Sequence, residues 1–100
     1  MATLFTEKLV NVIANSELEE LVVSIIHKHK LAGYTAVRAR GEGSTGMAAG
    51  TLDFETNVVF IIILHAEQVE AVLNDLERLK RKGHHLLAFV TDTQVLGKRP

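Results

Sequence analysis

The sequence predicts an α+β sandwich in the order βαββαβ, and three observations predict it. Two stretches carry apolar residues at helical spacing, each after an apolar, strand-like segment. A near-continuous apolar run, Asn57 to Leu64, reads as a strand covered on both faces. A glycine-rich connection, Gly41 to Thr56, separates that run from the strand before it and is far longer than a hairpin turn needs.

In chain order, Lys8 to Ala14 is β-branched and apolar, a first strand. Ser16 with Glu19 three residues on has the form of a capping box opening a helix. Leu18, Leu21, Val22, Ile25 and Ile26 then mark that helix's buried face, and Lys28 and Lys30 suit the negative end of its dipole. Gly33 is the expected C′ stop. Tyr34 to Arg40 alternates, with Thr35, Val37 and Ala39 on one face and Arg38 and Arg40 on the other. After the apolar strand, Val69, Val72, Leu73, Leu76 and Leu79 make a second amphipathic helix from Ala66, ended at Gly83 after the basic run Lys80 to Lys82. Leu86 to Thr91 is the last long strand, and Gln94 to Leu96 a short extra one.

Two split βαβ halves of this kind build a ferredoxin-like sandwich: an antiparallel sheet with both helices on one face. The other face is left bare. A strand as apolar as Val58 to Leu64 cannot leave one side in water without an exposed patch. Copies of the chain are therefore expected to cover it, most simply in a closed cyclic oligomer.

Composition narrows the function. One hundred residues, 47% hydrophobic, make a single domain spanning 1–100, small enough to gain by oligomerising. Net charge is −1 with the signs interspersed, so no basic stripe for nucleic acid is present. Without cysteine, disulfides and thiolate metal sites are excluded. The first residues form no signal peptide and the longest apolar run is too short to span a bilayer, so the cytoplasm is the expected location.

The long connection is the candidate site. Connections beyond ~12 residues without internal structure are usually functional or disordered. Gly41-Glu42-Gly43-Ser44 directly follows a strand bearing Arg38 and Arg40. Glycines allow backbone amides to approach a ligand, and with arginines they form a plausible phosphate cradle. The stretch is neither a Walker motif nor a Rossmann fingerprint, because no helix opens after it.

These pieces, in this order, resemble the PII signal-transduction superfamily over nearly the full chain. The matching residues are Gly33-Tyr34-Thr35 after the first helix, Gly41-Glu42-Gly43, the loop to Thr56 in the place of the T-loop, and the apolar strand Asn57 to Leu64. The ending Asp92 to Arg99 is similar to the tail of divergent PII-like proteins linked to bicarbonate uptake or carboxysomes. The resemblance implies a homotrimer with an adenine nucleotide as effector in clefts between subunits. Thr35 would face the base; Arg40, Gly41 and Gly43 would approach phosphates or ribose; Lys98 or Arg99 would close the site. The T-loop-like segment 41–56 would then signal to a partner, a membrane transporter or a metabolic protein.

The chain also departs from the family. The usual T-G-x-x-G-D-G-K loop before the last strand is replaced by Lys80-Arg81-Lys82-Gly83-His84-His85. The modified T-loop tyrosine and the residues that bind 2-oxoglutarate with magnesium are missing, so neither uridylylation nor 2-oxoglutarate sensing carries over.

Other residues carry weaker signals. His27 and His29 point nearly opposite ways on a helix, and His84 and His85 on a strand, so solvated or capping roles are expected and no metal set forms within one chain. No serine sits on a nucleophile elbow, and Ser44, Thr45, Asp53 and Glu55 have no base placed by sequence, so no enzyme is expected. Met47, Asp53 and Phe54 are the expected partner contacts of the loop. Two other readings stay open: a trimeric interaction module without ligand, and a metal-binding trimer resembling copper-tolerance proteins.

Overall fold

A computed structural model describes residues 2–41 and 57–97. Its elements run β1 (Leu4–Asn15), a 3-10 turn (Ser16–Leu18), α1 (Glu19–Lys28), β2 (Thr35–Ala39), β3 (Asn57–Leu64), α2 (Ala66–Arg81) and β4 (Leu86–Leu96). The strands form one antiparallel sheet in the order β2-β3-β1-β4. This is the ferredoxin-like sandwich expected, with β1 longer than its apolar segment and β4 continuous through Leu96.

Period-2 alternation places the core. Val10, Val12 and Ala14 of β1, Val58, Phe60, Ile62 and Leu64 of β3, and Leu86 of β4 are buried. They pack with Leu18, Val22, Ile25 and Ile26 from the first helical segment and Val72, Leu76 and Leu79 from α2. The opposite sheet face is built from the residues between them. Register aligns Val37, Val59, Ile13 and Leu87 in one cross-strand row, and Thr35, Ile61, Asn11 and Phe89 in the next. Val37, Ile61, Leu87 and Phe89 are between 38% and 48% exposed, an apolar surface uncovered in the single chain.

Helix ends differ from the sequence expectation. The Ser16–Glu19 capping box does not form. Asn15 is the cap: its Oδ1 accepts from Glu17 N at 3.0 Å, and the chain enters α1 through the 3-10 turn. At the other end α1 stops at Lys28, and Gly33 is not its C′ residue. Leu31 N donates to Ile26 O and Lys30 N to His27 O, a Schellman pair in which Lys30 takes the left-handed conformation, φ 54°. The same pair closes α2, from His84 N to Leu79 O and Gly83 N to Lys80 O; here the left-handed residue is the expected Gly83, φ 100°. Gln68 Oε1 accepts from His65 N at 3.0 Å at the start of α2.

Candidate functional site

β2 is an edge strand, paired only with β3, and it organises the candidate site. At its N-terminal end, Ala32, Gly33, Tyr34 and Thr35 with Ile61 and Ile63 of β3 line a cleft of about 300 Å³. Tyr34 is held as one wall by the buried ring of Phe60, with centroids 5.9 Å apart and planes tilted by 50°. Thr35, the residue expected to face a base, therefore lies in a cleft. Ile61 belongs at once to that cleft and to the uncovered apolar face.

Arg40 and Gly41 sit at the other end of β2. Arg40 is five residue steps from Thr35, ~17 Å at strand rise. Within one chain the structure does not bring these predicted site residues together. Gly41 is exposed, and a Cβ built there meets nothing within 4 Å. Among the described residues there is therefore no steric reason for glycine at that position. Gly43, Met47, Asp53, Phe54, Lys98 and Arg99 lie outside the described residues.

His27 and His85 are exposed and His29 and His65 occupy helix-cap positions, in line with the solvated or capping roles expected; the two at the caps also face carboxylates. His65 Nδ1 is 3.0 Å from Oε1 of Glu7, a carboxylate only 2% exposed. His29 Nε2 is 2.6 Å from Oδ2 of Asp75; the same oxygen accepts from Lys28 Nζ and Oδ1 accepts from Arg78 Nη1, at 3.0 Å each. The His29 hydrogen bond, helped by Lys28 and opposed by burial, holds the Asp75 carboxyl below its ordinary value. Among the described residues, no three His, Cys, Asp or Glu side chains gather as a metal set. Also among the described residues, no helix is long and apolar enough to cross a membrane. Ile61 and Ile63 in the cleft, and the Asp75 cluster and the Glu7–His65 pair elsewhere in the fold, are features that the sequence does not announce. Their partners are distant in sequence, and the available signals, an acid within a strand and a histidine before a helix, are slight.

Geometry thus defines a small ferredoxin-like domain whose sheet-edge cleft opens onto an apolar face left uncovered in the single chain. The family model for the nitrogen regulatory protein P-II matches residues 7–99, and the chain belongs to that family. Solved structures agree. CPII, a nitrogen regulatory PII-like protein from Thiomonas intermedia K12 bound to ADP, AMP and bicarbonate, superposes with a TM-score of 0.79 at 25% identity, covering 98% of this chain and 99% of that one. A PII-like signalling protein from Thermus thermophilus reaches 31% identity and a TM-score of 0.74, covering 92% of this chain and 91% of its own. A DUF3240 family protein from Shewanella baltica shares the fold, with a TM-score of 0.67 at 20% identity over 85% of this chain and 87% of that one. No curated protein matches the chain.

Proposed function

We propose that this chain is a cytoplasmic PII-like regulator that assembles as a homotrimer and binds an adenine nucleotide in clefts between its subunits. One observation carries the reading. Thr35 lines a cleft walled partly by Ile61, Ile61 belongs to the uncovered apolar face, and Arg40 lies ~17 Å away at the far end of the same strand. A neighbouring chain packed on that face would wall the cleft and could bring its own Arg40, Gly41 and Gly43 to a nucleotide whose base meets Thr35. Lys98 or Arg99 would close the site. That CPII was solved with ADP, AMP and bicarbonate supports the ligand class.

In this reading the segment 41–56 is the effector arm. Met47, Asp53 and Phe54 contact a transporter or a metabolic protein, and nucleotide held at Gly41 and Gly43 biases the arm between two states by its differential affinity for them. Calorimetry with ATP, ADP and AMP, each with and without bicarbonate, tests the proposal. Micromolar binding, roughly −7 to −8 kcal/mol, is expected. Absence of heat with every nucleotide favours a trimeric module without ligand, and tight binding of zinc or copper in its place favours a metal-binding trimer.

A further inference from the structure

We propose that the outer seam between α1 and α2 is a docking groove for an acidic amphipathic helix of a partner protein. The groove lies on the helical layer, away from the sheet-edge cleft. Its two sides carry matching rows. On α1, Leu21, Ser24, Ile25 and Lys28 fall at i, i+3, i+4 and i+7. On α2, Asp75, Arg78, Leu79 and Lys82 repeat that spacing. Each row runs about two turns, ~10 Å of helix.

The floor is apolar and the rim cationic. Ile25 and Leu79 are nearly buried, and Leu21 is 41% exposed, a large side chain left in water at the mouth of the groove. Lys28, Arg78 and Lys82 line the rim, and the carboxylate among the lining residues, Asp75, is itself committed: it accepts from Lys28, Arg78 and His29. Asp75 thereby fixes one cation from each helix on either side of the seam. The side chains of Lys28 and Arg78 remain 59% and 55% exposed, with donors left for a second acceptor.

Size selects the occupant. The hollow is about 200 Å³. Sites for whole small molecules run about 300–1,000 Å³, so this one fits an apolar side chain carried by something larger. Two helices with an apolar floor suit a third helix laid along the seam, with an apolar anchor in the hollow and carboxylates reaching the rim. A second copy of this chain is the competing occupant, since Glu17, Glu19 and Glu20 form an acidic patch at the start of the first helical segment. That patch surrounds only the half-buried Val23 and offers no row of apolar anchors.

The probe is a fluorescein-labelled synthetic helix of about 15 residues, with leucines at i, i+4 and i+7 and glutamates between them. A sister peptide has lysines in place of the glutamates. Anisotropy should show binding of the glutamate peptide alone, weakening between ~50 and ~300 mM salt. Lys82→Glu should lower that affinity about tenfold or more and admit the lysine peptide, leaving the nucleotide response unchanged and the protein folded, with only the small drop in thermal midpoint that an acid at the α2 C-cap brings. Leu21→Asp should also abolish binding, through the apolar mouth rather than the cationic rim. Equal affinity for both peptides, or no effect of Lys82→Glu, overturns the proposal. Salt-sensitive self-association that Lys82→Glu abolishes assigns the groove to a second copy. Displacement of the peptide by inorganic phosphate at matched ionic strength assigns it to a small anion. Nucleotide calorimetry on the same samples is an independent readout, so failure of either proposal is distinguishable from failure of the other.

Discussion

His29 Nε2 lies 2.6 Å from Asp75 Oδ2, joining the C-terminal cap of α1 to α2 across 46 residues of sequence. The His29 bond, with Lys28 beside it, holds the Asp75 carboxyl below the ordinary 3.8. A carboxyl depressed in the folded state stabilises the fold above its unfolded pKa, and that contribution is lost as pH falls through the folded value. Urea unfolding should therefore show wild-type stability dropping below about pH 4 by more than that of Asp75→Asn. At neutral pH the variant should be less stable by about 1–2 kcal/mol, because the charge-assisted bonds are lost while Lys28 and Arg78 rehydrate. Identical acid sensitivity in the two proteins contradicts this account of Asp75.

Lys30 gives a prediction of opposite sign. It holds φ 54° as the C′ residue of α1, a conformation that costs a side-chain-bearing residue roughly 1 kcal/mol or more. Lys30→Gly should stabilise the protein by about 0.5–1 kcal/mol after the glycine's extra unfolded-state freedom is counted. Thermal and urea unfolding measure it, and a loss of stability would mean that the lysine side chain contributes more than the backbone strain removes.

The two helix ends show where the fold is legible in the sequence. Gly83 can be read because glycine is the usual left-handed residue; Lys30 cannot, because there the same hydrogen-bond pair is closed by a residue without that signature. The cap lies one residue before its expected position because Ser16 and Glu19 match the commoner pattern, while a 3-10 turn after Asn15 satisfies the first amides differently. β3 is legible to its boundaries, but its two faces are not. Eight almost uniformly apolar residues carry no alternation, and only pairing with β1 and β2 sends Phe60 and Ile62 to the helices and Ile61 to the open face. At the site, Thr35 and Gly33 can be read from local order. The cleft cannot, because Ile61 and Ile63 reach it through strand pairing.

That separation of faces sharpens the test of assembly. Ile61, Leu87 and Phe89 are exposed in the single chain, so Ile61→Asp or Phe89→Asp should leave the fold intact and abolish the trimer. Ile62 is 1% exposed beneath the helices, and Ile62→Asp should unfold the chain, since an uncompensated buried carboxylate costs several kcal/mol. Sedimentation gives the oligomeric state and circular dichroism the fold. Trimers that persist with Ile61→Asp and Phe89→Asp combined would place the interface elsewhere.

The ~17 Å of strand between Thr35 and Arg40 permits a complementation test of the inter-subunit cleft. Thr35→Glu should block the cleft where a base would sit, and Arg40→Ala should remove a cation from the phosphates; each variant alone should bind ADP at least tenfold more weakly. Arg40→Ala lies away from the core; Thr35 pairs with Ile61 on the open face, so sedimentation should first show that the Thr35→Glu protein still assembles before its binding is read. Suppose one cleft takes Thr35 from one subunit and Arg40 from the next. Co-expressing the variants in equal amounts then gives mixed trimers in which about a quarter of the clefts pair a native Thr35 with a native Arg40. Calorimetry on the mixed protein should recover that fraction of sites at wild-type affinity. If both residues served one cleft from the same chain, mixing would restore nothing, and tight sites would stay absent at every ratio of the two variants. That result would remove the neighbouring chain from the nucleotide site while leaving the trimer itself unaffected.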